Sequence, residues 1–315
     1  MNKYLFVVLA GHKYGLGHLK RCILIAKKLR SKSIDFLVIG KNKETKVVLN
    51  NNGFFTIFEL KTYESLDSDR IKNFIFKYNK IIFDISNKNN INFSVLANLK
   101  FYLKKKKSNK IILIDSKYSE SIICKNDKLP LDIVFIPYFT ETKVNNIKKI
   151  KSYVGEKYSI INEVYSKKKK RKLNQNVKKV FISFGGSDPK NFSMKVLKSL
   201  NKLSREFQIK LSIGPYFKKK QTSSLKRYAK LNNLNLKFLI NVELLHEYFI
   251  WSDMSIIGSG LTKYEMLATG TPGISISLNK SDHKSNKLVS QKNAIISLPD
   301  NISIKELSSS KWDRV

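Results

Sequence analysis

Tyr4-Leu5-Phe6-Val7-Val8-Leu9-Ala10 runs into Gly11-His12-Lys13-Tyr14-Gly15-Leu16-Gly17-His18-Leu19-Lys20-Arg21, and this stretch sets the architecture. An unbroken apolar run of that length fits a strand buried on both faces, as in a parallel sheet. The glycine-bearing turn then opens into Leu19–Leu29, where apolar residues recur at helical spacing. The same unit repeats along the chain. In the first half strands are predicted at Tyr4–Ala10, Phe36–Ile39, Phe54–Phe58, Lys80–Ile85, Ile111–Asp115 and Ile133–Ile136, with helices at Leu19–Leu29, Ser68–Tyr78 and Phe93–Leu103. In the second, strands at Val180–Phe184, Ile209–Ile213, Leu236–Leu239, Met254–Ile257, Gly273–Ser277 and Ala294–Leu298 alternate with helices at Phe192–Leu203, Gln221–Leu231, Glu243–Trp251, Thr262–Thr269 and Asp282–Gln291. Such alternation predicts an α/β protein with parallel sheets covered on both faces.

The 315 residues fit two domains. Residues 1–160 form the first and 177–315 the second, joined by a linker over 161–176 that holds Lys167-Lys168-Lys169-Lys170-Arg171-Lys172. Two such halves imply a cleft. Ligands of these sheets bind beyond the carboxyl ends of the strands, which directs attention to the loops after Ala10, Asp84, Asp115, Phe184, Ile213, Ile257 and Ser277.

A hydrophobic share of 42% excludes global disorder, and no apolar run reaches the length of a membrane span. Met1-Asn2-Lys3 before an apolar run mimics a secretory leader, but the glycine-rich turn and amphipathic helix that follow make it a first strand. The net charge of +36 invites a nucleic-acid reading. Only seven of the 60 basic residues are Arg, however, and the Lys residues are dispersed. That pattern gives solubility and nonspecific attraction to anions, including an anionic membrane surface, rather than a nucleic-acid partner. Cys22 and Cys124 make no disulfide framework or metal-ligand spacing, so a reducing cytoplasm is expected. Nothing in the sequence sets an oligomeric state.

Three loops can carry chemistry. In the first, Gly15 and Gly17 allow a ligand close to the backbone, and the helix start directs free N–H groups at it. The spacing lacks the G-x-G-x-x-G dinucleotide fingerprint, which argues against a nicotinamide cofactor. His18 at this helix start is either a general base or a capping and packing residue. In the second loop, Phe184-Gly185-Gly186-Ser187-Asp188-Pro189-Lys190-Asn191, the paired glycines suit a diphosphate cradle with Lys190 as counter-charge. The same residues also fit an ordinary turn with Asp188 as N-cap and Pro189 opening the helix. The third, Gly258-Ser259-Gly260-Leu261-Thr262 with Glu265, can hold phosphate at the turn and ribose hydroxyls at the carboxylate, or Glu265 can simply face solvent.

Taken together, Gly15–Arg21 with Ala26-Lys27-Lys28-Leu29, Phe184–Asn191 and Gly258–Glu265 resemble the UDP-sugar hydrolase of pseudaminic acid biosynthesis. That family is related to the spore-coat polysaccharide proteins and to the GlcNAc transferase of peptidoglycan precursor synthesis. The resemblance covers nearly the whole chain. It implies a GT-B type fold of two Rossmann-like domains, a UDP-sugar substrate and no cofactor or metal. It further implies that His18 is catalytic, activating water against the anomeric carbon, with Gly15, Gly17, Arg21 and Asp84 on the sugar side. UDP would be met by Gly185, Gly186, Ser187, Gly258, Ser259, Gly260, Leu261, Thr262, Glu265 and Asn286. In transferase relatives a sugar or lipid hydroxyl replaces water.

Two segments depart from the hydrolase pattern. Leu9-Ala10-Gly11-His12 replaces an Arg-Ala-Asp-like strand end, and Asp84-Ile85-Ser86 keeps the acid of an Asp-His-Tyr-like segment but not its histidine and tyrosine. Asp67-Ser68-Asp69 has the D-x-D spacing of metal-dependent transferases yet falls at a helix start, where capping explains it. His246-Glu247 lacks the second histidine of a zinc site and reads as helix surface. Asp282-His283 lies in a late loop and helix start that faces the cleft in related proteins. There is no P-loop.

Overall fold

The computed structural model describes residues 2–11, 14–29, 33–40, 43–55, 57–62, 64–85, 98, 110–116, 121, 131–140, 150–166, 174, 176–203 and 206–308. The chain divides into two units, Met1–Ile160 and Ile161–Val315.

The first unit is built on β1 (Tyr4–Leu9), β2 (Ile34–Ile39), β3 (Ile57–Leu60), β4 (Lys80–Asp84), β5 (Lys110–Ile114), β6 (Ile133–Ile136) and β7 (Lys151–Val154). These pair in parallel in the order β3-β2-β1-β4-β5-β6-β7. Its helices are α1 (Gly17–Lys28), α2 (Lys43–Asn51) and α3 (Asp69–Ile75). Val7 of the central strand lies opposite Leu37 and Phe83, and all three join Ile71 and Ile75 of α3 in one core. The strand order reverses between β1 and β4, which makes their carboxyl ends the topological switch point.

The second unit has β8 (Lys179–Ser183), β9 (Gln208–Ile213), β10 (Leu236–Ile240), β11 (Met254–Gly258), β12 (Gly273–Ile276) and β13 (Ile296–Leu298), all parallel in the order β10-β9-β8-β11-β12-β13. Its helices are α4 (Phe192–Leu200), α5 (Lys219–Leu231), α6 (His246–Trp251), α7 (Leu261–Ala268), α8 (Lys280–Ser290) and α9 (Ile304–Ser308). Val180, Ile182, Ile209, Leu211 and Ile213 pack with Phe192, Val196, Leu197 and Leu225 of α4 and α5 on one face of this sheet.

Several boundaries differ from expectation for visible reasons. β3 starts at Ile57 rather than Phe54, because Phe54 packs its ring 5.0 Å from that of Phe36 on the way out of α2. α2 buries only Thr45 and Leu49, and the edge strand β7 is at most half-buried, so neither carries a strong apolar period. Residues 161–166, expected as the front of a linker, belong to the second unit. There a single helical turn over Glu163–Ser166 buries Tyr165, whose hydroxyl accepts a hydrogen bond from the Leu245 N–H at 2.8 Å. The basic run 167–172, Cys124 and most of the helix expected at Phe93–Leu103 lie outside the described residues.

Candidate active site

The first loop is closed on itself. Gly11 N–H donates to the Gly15 carbonyl at 3.1 Å and Gly15 N–H returns a bond of 2.7 Å to Gly11. Gly15 sits at φ +74°, a backbone shape that side chains disfavour, so the tight return into α1 needs glycine there. α1 then presents Leu19, Cys22, Ile23 and Ala26 to the interior, and its first turn has neither an acidic residue nor a side-chain cap. His18 stands on that turn.

Its Nδ1 lies 2.5 Å from Oδ1 of Asp84, the last residue of β4. Arg21, one turn further along α1, donates from Nε to Asp84 Oδ2 and from Nη2 to Oδ1, a bidentate pair, while its Nη1 donates to the Tyr138 hydroxyl after β6. Arg21 Nη2 also lies 3.2 Å from His18 Nδ1, since both nitrogens converge on the shared carboxylate oxygen. The Cys22 thiol donates to Oδ2 at 3.4 Å. Asp84 and Arg21 are sealed from solvent, whereas the His18 side chain keeps 21% of its surface exposed.

This arrangement fixes the protonation pattern. Burial alone would raise the Asp84 carboxyl, but Arg21 and then His18 outweigh it and hold the group well below the usual carboxylate range. Burial would lower the Arg21 guanidinium, and Asp84 more than restores its charge. Burial and Asp84 push the Cys22 thiol up, so it stays protonated. An ionised carboxylate only accepts hydrogen bonds, so the proton of the 2.5 Å contact belongs to His18 Nδ1. The basic lone pair of the imidazole is then at Nε2, on the ring edge away from Asp84.

Sequence reasoning placed Arg21 and Asp84 among substrate contacts. In the structure each is buried and bonded within the His18 cluster. Tyr138 and Cys22 went unnoticed as members. Gly17 is exposed and Gly15 half-buried at the loop rim. His12 and Ser86 of the two departing segments lie outside the described residues.

In the second unit the two glycine loops differ in character. Gly185 has φ +74°, and Gly214 packs so closely beneath the turn that a Cβ on it would come within 2.5 Å of the Gly185 carbonyl oxygen. Asp188 accepts from the Phe192 and Ser193 N–H groups at 2.8 Å each, which caps α4 and engages the donors that a phosphate would need. Pro189 does not open the helix, which starts at Phe192. Lys190 pairs with Asp300 at 2.7 Å instead of standing free as a counter-charge. The 185–187 turn thus keeps accessible backbone but not a free helix start.

α7 is the opposite case. Gly260 precedes it with no side-chain cap and no acidic residue in the first turn. The Ser259 hydroxyl beside it is buried, with residue exposure of 2%, and has no hydrogen-bond partner among the described residues. Free N–H donors and an unpaired hydroxyl at one strand end suit an anion. Glu265, half-buried one turn later, receives a hydrogen bond from the Tyr165 hydroxyl, and burial followed by this carboxylate pushes the phenol above its usual range.

Asn286, expected from the resemblance to meet UDP, lies inside the second unit. It is fully buried in α8, where Oδ1 accepts from Lys263 Nζ at 2.8 Å and Nδ2 donates to Ser275 and Ser277 at 2.9 and 3.0 Å. Lys263, unnoticed in the sequence, is likewise buried on α7. Asp282 closes a cap with Asn279 at the start of α8, and His283 Nδ1 lies 3.5 Å from Ser277 Oγ. His246 is half-buried against the Tyr165 ring, rather than a surface residue. Asp67 and Asp69 both face Lys72, at 2.7 and 3.8 Å, and no cluster of potential metal ligands occurs among the described residues.

Comparison with known proteins adds the architecture. MurG of Acinetobacter baumannii superposes with a TM-score of 0.63 over 97% of this chain and 89% of its own, at 14% identity. A glycosyltransferase from Rickettsia africae gives 0.61 over 98% and 86%, also at 14% identity. HepE of Anabaena, crystallised with UDP and glucose, gives 0.58 over 98% and 88% at 12% identity. The chain has the GT-B fold. No family model matches it. An uncharacterized protein of Methanocaldococcus jannaschii is 28% identical over 280 residues, covering 84% of this chain, and the chain spans about half, 54%, of that relative's length. Among the described residues no helix is long and apolar enough to cross a membrane.

Proposed function

We propose that the chain cleaves a UDP-activated amino sugar at the bond between the anomeric carbon and the diphosphate, with water as acceptor. The observation that carries this reading is the His18–Asp84 pair. A buried, ionised acid fixes one ring nitrogen as donor and leaves the other, on the partly exposed side chain, as base. In the step, His18 Nε2 takes a proton from water as its oxygen bonds to the anomeric carbon. The C–O bond to phosphate breaks, and UDP leaves with the electron pair. Uncapped donors at α7, the Ser259 hydroxyl and the 185–187 backbone are the groups that would stabilise the charge growing on the diphosphate. Glu265 would accept from ribose hydroxyls. GT-B neighbours such as HepE, whose structure holds UDP and glucose, support the UDP-sugar class.

A second reading, transfer to a glycan or lipid hydroxyl, uses the same base and leaving group, and the Rickettsia glycosyltransferase among the structural neighbours favours it. Incubation with UDP-, CMP- and GDP-sugars, with and without hydroxyl acceptors, followed by mass spectrometry separates the two. Free UDP and free sugar without acceptor establish hydrolysis. Turnover only when an acceptor is present establishes transfer, and no turnover of any UDP-sugar refutes both.

A further inference from the structure

The face of the second sheet opposite α4 and α5 is incompletely covered at its β10 edge. Strand alternation places Lys179, Lys210 and Lys237 on that face, because Val180, Ile209 and Ile213 point into the core on the other side. Lys210 is opposite Lys237 in register, so the two charges are direct cross-strand neighbours. The six-residue α6 lies over this region, with Lys210 Nζ 3.9 Å from the Trp251 ring and 5.5 Å from the Tyr248 ring. None of the three lysines forms an ion pair with a described residue, and Glu247 is the acid that offsets Lys210. Desolvation and then repulsion from Lys237 and Lys179 lower the Lys210 ammonium, so Glu247 beside it, with Asp253 beside Lys179, offsets the positive cluster only in part. Along the same α6 segment Leu244 and Ile250 are exposed at 45% and 37%.

We infer that this β10–α6 face docks on an anionic bilayer, with the lysines at the lipid phosphates and the Leu244, Ile250 and Trp251 side chains at the acyl boundary. Clustered lysines, an indole and exposed aliphatic side chains on adjoining segments are what an interfacial contact requires. A nucleic acid would use the lysines but gives no role to Leu244 and Ile250. The surface belongs to the second unit and the His18 cluster to the first, and the inference does not rest on the nucleotide-sugar reading.

The test is sedimentation of the full chain with vesicles of phosphatidylcholine containing phosphatidylglycerol. The comparison uses the double variant Lys210→Glu/Lys237→Glu, the double variant Leu244→Ser/Ile250→Ser, and a control, Lys226→Glu/Lys230→Glu, on the exposed side of α5. The control changes net charge equally on the opposite face. We expect the lysine variant to lose about tenfold or more in vesicle affinity, as for about 1 kcal/mol per basic residue near an anionic surface. The aliphatic variant should lose several-fold with its salt dependence unchanged, and the control less than twofold. Equal losses in patch and control variants, no vesicle binding, or oligonucleotide binding that alone responds to the lysine variant would each overturn the inference.

Discussion

Asp84 is the residue that ties together the buried cluster of the first unit. Its carboxylate, sealed from solvent, holds two donors at once, the His18 Nδ1–H by Oδ1 and the Arg21 guanidinium by both oxygens. Asp84→Asn keeps the shape and removes the charge. The expected loss is about a hundredfold or more in turnover, as for a misdirected base, and ~3–5 kcal/mol in urea unfolding, because Arg21 stays buried without its counter-charge. The sign with pH follows from the depressed carboxyl. Its contribution is complete above the unfolded Asp value, about 3.9, and is lost as pH falls towards the folded value. Wild type should therefore lose stability more steeply than Asp84→Asn below about pH 4, and parallel curves would contradict the ion pair. His18 stood out in the sequence because a histidine at a glycine-bounded helix start is a local pattern, one that spacing leaves open between a base and a capping residue and that the family resemblance reads as the base. The Arg21–Asp84 bond did not stand out, since 63 residues separate the partners and no local feature tells a buried ion pair from two substrate contacts.

At the scale of elements, the alternation of apolar runs and helical spacing predicted the central strands to within a residue or two, because a strand buried on both faces has little else to be. Elements with little buried surface escaped: α2, with two buried residues, and the edge strand β7. Helix starts taught the sharper lesson. Sequence offers each loop after β8 and β11 as a phosphate cradle, with Asp188 as an alternative N-cap only in the first; in the structure Asp188 caps α4 while α7 remains uncapped. The difference depends on Asp188 adopting a left-handed backbone at φ 42°, which aims its carboxylate at the helix. Ser259→Ala tests the uncapped end. Among the described residues the hydroxyl has no partner to lose, so thermal stability should hold or rise slightly. UDP affinity should fall by roughly fivefold to tenfold for one lost hydrogen bond of about 1 kcal/mol. Reduced stability with unchanged UDP affinity by calorimetry would place the hydroxyl in packing rather than in binding.

Over the whole molecule, the +36 charge first pointed to nucleic acid. The structure instead sets particular cations to internal work: Arg21 and Lys263 are buried, and Lys190 is paired. Lys72 and Lys110 are paired as well, and the excess of lysines over acids gives a general positive field. Binding of a random oligonucleotide should accordingly fall steeply and linearly in log salt, with no base preference. UDP affinity should change far less over the same range, being set on the proposed reading by short-range hydrogen bonds from the 185–187 turn, Ser259 and the start of α7. A sequence preference that survives high salt would restore the nucleic-acid reading.

The central claim is that His18 is the base of a UDP-sugar reaction. Its most direct test measures UDP release and, separately, UDP affinity in wild type and His18→Ala. The account predicts that release falls by about a hundredfold or more while UDP binds the variant as it binds wild type. Undiminished release by His18→Ala would contradict it.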